Sequence, residues 1–224
     1  MKINNFLSTV FFTAASFGLS ANTNTLKLDT AATNLTWHAT KLTGEHYGTI
    51  AAKEGNIEVK GNDVVGGKFE VDMDSFKATD IEDAETNTKF LGHLKSEDFF
   101  DVKVNKTALL EIKKVTPWSQ VKAKAKKEWE KSLAEANARK STTIKVENPT
   151  HLITGMLTIK GKAVEQDIPA VLKVEKDTVL ADGLLVIDRT RWGIKYGSGK
   201  FFKGLGDKTI GDKFEVAVKL TAKK

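Results

Sequence analysis

The stretch that decides the fold is residues 56–76, NIEVKGNDVVGGKFEVDMDSF. Apolar and charged residues alternate over 57–60, and they alternate again over 68–74. A period of two is typical of strands that have one buried and one solvated face. Glycine, asparagine and aspartate occupy the connection at 61–67, and these residues favour a turn. The stretch therefore predicts two antiparallel strands.

The same alternation recurs along the chain. We predict strands at 57–60, 68–74, 101–105, 153–160, 168–174 and 213–220. Many short strands at hairpin spacing favour a sandwich or a barrel. A closed barrel also needs one wet and one dry face on each strand. The sequence thus predicts an all-β fold, and 224 residues are enough to bury a substantial core.

Two segments break the pattern. Residues 85–95 place apolar side chains at helical spacing, which predicts a short helix or a capping loop. In residues 116–138, Thr116 is a suitable N-cap and Pro117 a suitable first helical residue. The apolar stripe that follows consists of Trp118, Val121, Ala125, Trp129, Leu133 and Ala136. This spacing predicts an amphipathic helix whose polar side is rich in lysine.

Charge is concentrated in that second segment. The chain has 35 basic and 29 acidic residues, a net charge of +6. Residues 113–140 contain nine basic and three acidic residues, so they account for the whole excess. A nucleic-acid-binding domain would carry its basic face on the fold itself. We therefore expect no nucleic acid among the partners.

The N-terminal segment has the layout of a secretory signal peptide. Lys2 is followed by an apolar run at 6–19 and then by small residues, so we predict cleavage after residue 20 or 21. A membrane anchor is the alternative, but the run is shorter than the roughly 20 residues that a span needs. The chain has no cysteine, which excludes disulfides and a lipoprotein anchor. These features favour a bacterial periplasmic or secreted protein.

The sequence contains no strong catalytic or metal motif. The four histidines, His38, His46, His93 and His151, lack the i, i+3 or i, i+4 spacing of a helical metal site. Residues 197–200, GSGK, lack both the spacing of a phosphate loop and its following Ser or Thr. We therefore predict hydrogen-bonded or exposed histidines, no metal, no catalytic residues and no cofactor.

One basic cluster has two interpretations. Arg189 and Arg191 lie between Asp188 and Trp192, and Asp188 next to Arg189 suggests an ion pair at a strand end. The two arginines can meet an anionic ligand head. They can equally act as a structural clamp, which is the more common role of such groups.

Several stretches resemble the YceI-like family of periplasmic lipid-binding proteins. The matching stretches are 48–76, FLGHLKSEDFFDV at 90–102, TGMLTIKGKAVEQDIPAVL at 154–172 and 187–220, which begins IDRTRWGI. The resemblance implies an extended, eight-stranded antiparallel lipocalin-like β-barrel spanning 22–224. It also implies an apolar tunnel and no enzymatic activity. The helical insertion near 116–140 departs from the family, and such a helix can cover an entrance to the tunnel.

The ligand implied by the resemblance is an isoprenoid lipid, a quinone or a fatty-acid-like chain. We predict contacts from Trp37, Phe69, Val71, Met73, Phe76, Phe90, Phe99, Leu157, Ile159, Ile187, Arg189 and Trp192. Composition alone favours a different interpretation, in which the large side chains simply fill the core.

A structural or interaction protein of the envelope is the alternative function, with the helix as its contact surface. Residues 117–139 can pack on the barrel, close it as a lid, or contact an anionic membrane or an acidic partner. The oligomeric state stays open, a dimer included.

Overall fold

The structure, a computed structural model, describes residues 22–141 and 143–224. Its strands are β1 (Thr23–Leu28), β2 (Asn34–Lys41), β3 (Gly44–Lys60), β4 (Asp63–Ala78), β5 (Thr107–Pro117), β6 (His151–Ile159), β7 (Lys162–Glu175), β8 (Thr178–Asp188) and β9 (Ile210–Lys223). Its helices are α1 (Ala84–Lys95) and α2 (Ala123–Asn137). Short 3-10 turns lie at Trp118–Gln120, Arg189–Trp192 and Gly206–Lys208. The predicted signal peptide, residues 1–21, lies outside the described residues.

The strands form one closed antiparallel barrel. Strands β2 to β9 make a continuous ring because β3 pairs with both β2 and β4. Strand β3 pairs with β2 over 44–50 and with β1 over 56–60, so β1 and β2 share one position in the wall. The barrel therefore has eight positions, which confirms the predicted all-β, eight-stranded lipocalin-like fold.

Buried and more exposed side chains alternate along the strands of the barrel wall, as the sequence predicts. On β6, Ile153, Gly155, Leu157 and Ile159 are buried, while the residues between them are half-buried. On β4, Phe69 and Met73 are buried and Lys68 is exposed. Helix α1 covers one end of the barrel, as the helical spacing of 85–95 predicts. Asp83 caps it by accepting a hydrogen bond from the Thr86 N–H at 2.8 Å.

Two local predictions are wrong. Residues 101–105 form turns instead of a strand, because Asp101 has a positive φ of 46° and its carbonyl oxygen accepts hydrogen bonds from Asn105. Thr116 and Pro117 end β5, where they pair with Leu152 and His151, instead of starting a helix. The helix begins only at α2, after Lys122, which forms no side-chain cap.

Helix α2 packs on the outer surface of the barrel. Leu133 and Ala136 are buried with Leu184 and Ala217, whose side chains lie on the outside of β8 and β9. Ala125 and Trp129 of the predicted stripe are half-buried on α2, whereas Trp118 and Val121, also half-buried, precede the helix. No described residue between 113 and 152 lines the barrel interior. The helix therefore packs on the barrel, and it does not close the cavity as a lid.

Polar contacts hold the segment after α2 in place. The Asn137 side chain forms two hydrogen bonds with the Val146 backbone, at 2.8 and 3.1 Å. Arg139 forms an ion pair with Glu215 on β9. Ile144 and Val146 complete the buried cluster beneath the helix. The insertion is thus fixed to the wall at several points.

We expect Leu133→Ala to lower the free energy of unfolding by about 2–3 kcal/mol, because it leaves a void between α2 and the barrel wall. Lys131→Ala is the matched control, since that side chain is 80% exposed and forms only a 3.9 Å ion pair with Glu135. Its effect should stay within about 0.5 kcal/mol. Urea unfolding followed by circular dichroism measures both. Equal stability of the two variants would show that the helix is not anchored through Leu133.

Candidate functional site

The barrel encloses one large cavity of about 760 Å³. This volume lies within the range of roughly 300–1,000 Å³ that small-molecule sites occupy. Along β4 the lining runs from Val64 to Phe76. That span corresponds to about 40 Å of strand, or about 30 Å along the axis at the tilt usual in barrels. The cavity is therefore long enough for an extended chain.

The side chains that face inward do not fill the interior of the barrel. Val71, Leu110, Leu172, Ala181 and Val218 line the cavity, yet each is only half-buried. A barrel filled by its own side chains would bury such residues almost completely. The surface that they present therefore faces the cavity. This overturns the interpretation, favoured by composition alone, that the large apolar residues only fill the core.

The structure places eleven of the twelve predicted contact residues on the cavity wall. They are Trp37, Phe69, Val71, Met73, Phe76, Phe90, Phe99, Leu157, Ile159, Ile187 and Arg189. Trp192 lies behind the wall instead, where it is 3% exposed. Its indole N–H donates a hydrogen bond to the Leu157 carbonyl oxygen at 3.0 Å. Trp192 thus supports a wall residue from outside.

Aromatic side chains form one end of the cavity. Phe90 of α1 stacks on Trp37 at 6.3 Å between ring centroids, and Trp37 meets Phe76 edge-on at 6.0 Å. The Trp37 indole N–H donates to the Lys77 carbonyl oxygen at 3.1 Å. A Cβ atom at Gly48 would lie 1.8 Å from that same oxygen, so β3 needs glycine there. Helix α1 is therefore held over this end by ring packing.

The polar lining residues gather at the same end, which we call the mouth. The polar side chains there belong to Thr40, Lys41, His46, His93, Arg189, Tyr196, Asp207 and Lys208. The rest of the lining is aliphatic or aromatic. Tyr196 and Phe202 line the cavity yet are 44% and 49% exposed, so the cavity opens to solvent there. The site thus has a polar mouth and an apolar depth.

Two histidines at the mouth are each held by a carboxylate. His46 Nδ1 lies 2.7 Å from Asp80 Oδ2, and His93 Nε2 lies 3.2 Å from Asp98 Oδ2. His38 is paired with Glu45, and His151 contacts Thr150. The prediction of hydrogen-bonded histidines is confirmed. Within residues 22–141 and 143–224, no group of three His, Asp or Glu side chains has a geometry suited to a metal ion.

Arg189 behaves as a structural clamp at the mouth. Its guanidinium donates to the carbonyl oxygens of Gly211, Ile194 and Ile210 at 3.0, 3.1 and 3.2 Å. Burial lowers the pKa of Arg189, and the nearby carboxylate of Asp212 opposes that shift. The guanidinium therefore ties the start of β9 to the turn that follows β8.

Asp188 pairs with Lys200, so the predicted ion pair between Asp188 and Arg189 is wrong. Lys200 Nζ lies 3.0 Å from Asp188 Oδ2. Burial alone would raise the pKa of Asp188, but hydrogen bonds from Thr190 and Lys200 outweigh it and hold that pKa below its ordinary value. The hydrogen bonds that the Lys200 ammonium donates to this carboxylate and to that of Asp212 raise the pKa of Lys200.

Sequence reasoning missed much of the lining. On β5, Leu110 and Ile112 alternate with Glu111, so period-two analysis would have found them. On β8, Leu185 lines the cavity while Leu184 packs under α2, so both faces are apolar and no alternation exists. Mouth residues such as Tyr196 lie on loops, where periodicity gives no signal.

The comparison with family models decides the classification. The model described as the YceI-like domain matches residues 26–222. The chain belongs to the YceI-like family. A comparison with curated proteins finds no match. None of the described helices is long and apolar enough to cross a membrane.

Two solved structures share the fold of this YceI-like chain. BcnA of Burkholderia cenocepacia is 19% identical, with 87% of this chain and 99% of that chain covered and a TM-score of 0.57. A polyisoprenoid-binding domain from Saccharophagus degradans, implicated in plant cell wall breakdown, is 13% identical, with 88% and 97% covered and a TM-score of 0.50. At these identities the likeness shows the fold alone.

Proposed function

We propose that this YceI-like protein is a non-catalytic carrier that holds a long apolar ligand inside the barrel. The observation that supports the proposal is the long, almost entirely apolar cavity of about 760 Å³. Each buried CH₂ of a ligand gains roughly 0.8 kcal/mol before the costs of association. A chain of many carbons therefore binds tightly without specific polar contacts along its length.

The distribution of polar groups favours an amphiphile over a pure hydrocarbon. The tail fits the depth of the cavity, where Phe69, Leu157 and Ile159 form the wall. The head would remain at the mouth near His46, His93 and Lys208. Isoprenoid lipids, quinones and fatty-acid-like chains all have this form. The solved relative from Saccharophagus degradans is described as polyisoprenoid-binding, which agrees with the first of these.

The compartment follows from the N-terminal segment. The charge-free run after Lys2 and the absence of cysteine support export to the bacterial periplasm or exterior. The mature chain would then begin near Asn22. N-terminal sequencing of exported protein tests this, and an intact Met1 would contradict it.

Extraction of bound material is the direct test of the carrier function. We expect protein purified without detergent from a bacterial periplasm to yield a long-chain lipid on organic extraction and mass spectrometry. The yield should approach one molecule per protein, because one cavity of this size holds one chain. Stripped protein should take up a polyprenol or a quinone and gain thermal stability by mass action. No extractable lipid together with no uptake would contradict the proposal.

An envelope interaction protein remains the second candidate function. Trp118 and Trp129 are only half-buried, and Lys124, Lys127 and Lys131 are exposed on α2. Such a surface suits an anionic membrane or an acidic partner. This candidate would be supported if extraction yields no lipid and the protein nevertheless binds acidic partners through these lysines.

A further inference from the structure

Large apolar side chains are exposed around the mouth of the cavity. Seven large hydrophobic residues are exposed in the described part of the chain, and four of them lie on two segments beside the mouth, residues 41–45 and 195–208. They are Leu42 (68% exposed), Tyr196 (44%), Phe201 (47%) and Phe202 (49%), which we call the mouth rim. Contiguous exposed apolar residues of this kind mark interaction surfaces.

The backbone fixes the mouth rim in place. The Leu42 N–H donates to the Thr209 carbonyl oxygen at 3.0 Å, which joins the β2–β3 turn to the loop before β9. The Ser198 carbonyl oxygen accepts from the N–H groups of Phe201 and Phe202 at 3.1 and 3.0 Å. Ser198 is itself fully buried. The two phenyl rings are therefore displayed on a tight, anchored turn.

Lysines surround the mouth rim. Lys41, Lys195, Lys203 and Lys208 are exposed on the two segments that carry it. A fifth lysine, Lys200, forms ion pairs with Asp188 and Asp212, in which its Nζ lies 3.0 and 3.2 Å from the carboxylate oxygens. The ammonium of Lys195 lies 4.7 Å from the centre of the Phe201 ring. Glu45 and Asp207 are the acidic residues on these segments, so the two segments together are net positive.

The mouth rim is continuous with the cavity. Tyr196, Phe202, Lys41 and Lys208 belong both to this surface and to the lining. Aromatic side chains among lysines are the composition that inserts into the headgroup region of anionic bilayers. We propose that the mouth rim docks on an anionic lipid bilayer, so that a ligand passes between membrane and cavity without crossing water. The transfer step rests on the proposed carrier function, whereas docking stands on the surface itself.

A single-cysteine label tests insertion at one position. The natural chain has no cysteine, so Phe201→Cys labelled with the fluorophore NBD reports on that position alone. On phosphatidylglycerol–phosphatidylcholine vesicles we expect a blue-shifted emission that lipid-borne quenchers reduce. Leu180→Cys is the control, since Leu180 is 37% exposed near the opposite end of the barrel and should show no shift. Unchanged emission at Phe201, or equal shifts at both positions, would overturn the proposal.

Sedimentation with the same vesicles tests the energetics. We expect Leu42→Ser/Phe201→Ser to weaken binding about tenfold or more, because membrane affinity scales with buried apolar area. Neither residue lines the cavity. Val65→Ser/Leu180→Ser removes two exposed aliphatic side chains elsewhere and should leave binding unchanged.

Charge variants separate this surface from α2. Lys195→Gln/Lys203→Gln should weaken binding at low salt, and the loss should shrink at high salt. Lys124→Gln/Lys127→Gln should have little effect. The reverse order would place the contact on the helix and overturn the proposal.

Two measurements keep the outcomes distinct. Uptake of a detergent-dispersed polyprenol by Leu42→Ser/Phe201→Ser should match the natural protein, while uptake from vesicles should slow about tenfold. If the natural protein takes up polyprenol neither from detergent nor from vesicles, the carrier function is rejected. Sedimentation with vesicles then decides whether the mouth rim docks on lipid. Light scattering without vesicles tests a second copy as occupant of the rim. A dimer that these substitutions dissociate, with vesicle binding absent, would overturn docking on lipid.

Discussion

Ala181→Trp should empty the barrel of ligand and leave the protein folded. Ala181 faces the cavity from β8 and is half-buried there, so an indole at this position extends into open space. A tryptophan presents roughly 150–250 Å² of apolar surface, which then replaces ligand surface against the same wall. We expect lipid content and polyprenol uptake to fall at least tenfold. Stability should change by less than about 1.5 kcal/mol, because no packed neighbour must move.

The neighbouring residue provides a matched control. Leu180 lies on the same strand but points outward and is 37% exposed, so Leu180→Trp adds a similar side chain outside the cavity. Its ligand content should equal that of the natural protein. Mass spectrometry of extracts and thermal unfolding of both variants make the comparison. Full lipid content in a folded Ala181→Trp protein would mean that the ligand binds elsewhere or that the interior does not hold one.

Although it failed at residues 101–105, period-two alternation correctly predicted strands such as β4, β6 and β9. Residues 68–74 show the reason, since Phe69 and Met73 face inward while Lys68 stays in water. The alternating sequence of such a strand shows which residues face the interior and which face solvent. The predicted contact residues on β4 and β6 accordingly lie on the cavity wall.

Elements whose environment depends on distant segments were not predictable in the same way. Strand β8 carries Leu184 and Leu185 side by side because α2 covers its outer face, which no local pattern reveals. Thr116 and Pro117 have good helix-start chemistry, but pairing with β6 overrides it. Local propensity therefore failed where a tertiary contact decided the conformation.

The presence of a cavity that side chains do not fill is also a global property. The same aliphatic and aromatic residues fill a small barrel or line a wider one, and the count of large residues does not distinguish the two. This barrel closes with eight strand positions, and residues such as Leu110 and Leu172 face inward yet stay half-buried. These two facts show that its side chains line a cavity and do not fill it. The family resemblance, rather than composition, carried the prediction of a tunnel.

Arg189→Ala should destabilise the protein by about 3–5 kcal/mol, the largest stability loss that we expect from any single substitution at the mouth. The Arg189 side chain is 4% exposed and is the donor to three backbone carbonyl oxygens. Its removal leaves those acceptors without that partner in a largely buried setting, and each buried unsatisfied group costs roughly 1–3 kcal/mol. It also leaves a void beside Phe99, whose ring centre lies 5.9 Å from the guanidinium carbon.

Arg191→Ala is the control that separates a clamp from a mere loss of charge. Arg191 is exposed and donates one hydrogen bond to the Glu165 carbonyl oxygen at 2.9 Å, so its loss should cost at most about 0.5–1 kcal/mol. Arg189→Lys should recover only part of the stability, because an ammonium lacks the planar fork that reaches separated carbonyls. Urea unfolding measures the three variants. Limited trypsin digestion should cut Arg189→Ala faster at Lys195, Lys200 and Lys203, since the clamp fixes the ends of that loop. Equal stability of Arg189→Ala and Arg191→Ala would contradict the clamp and favour the role of an anionic-head contact.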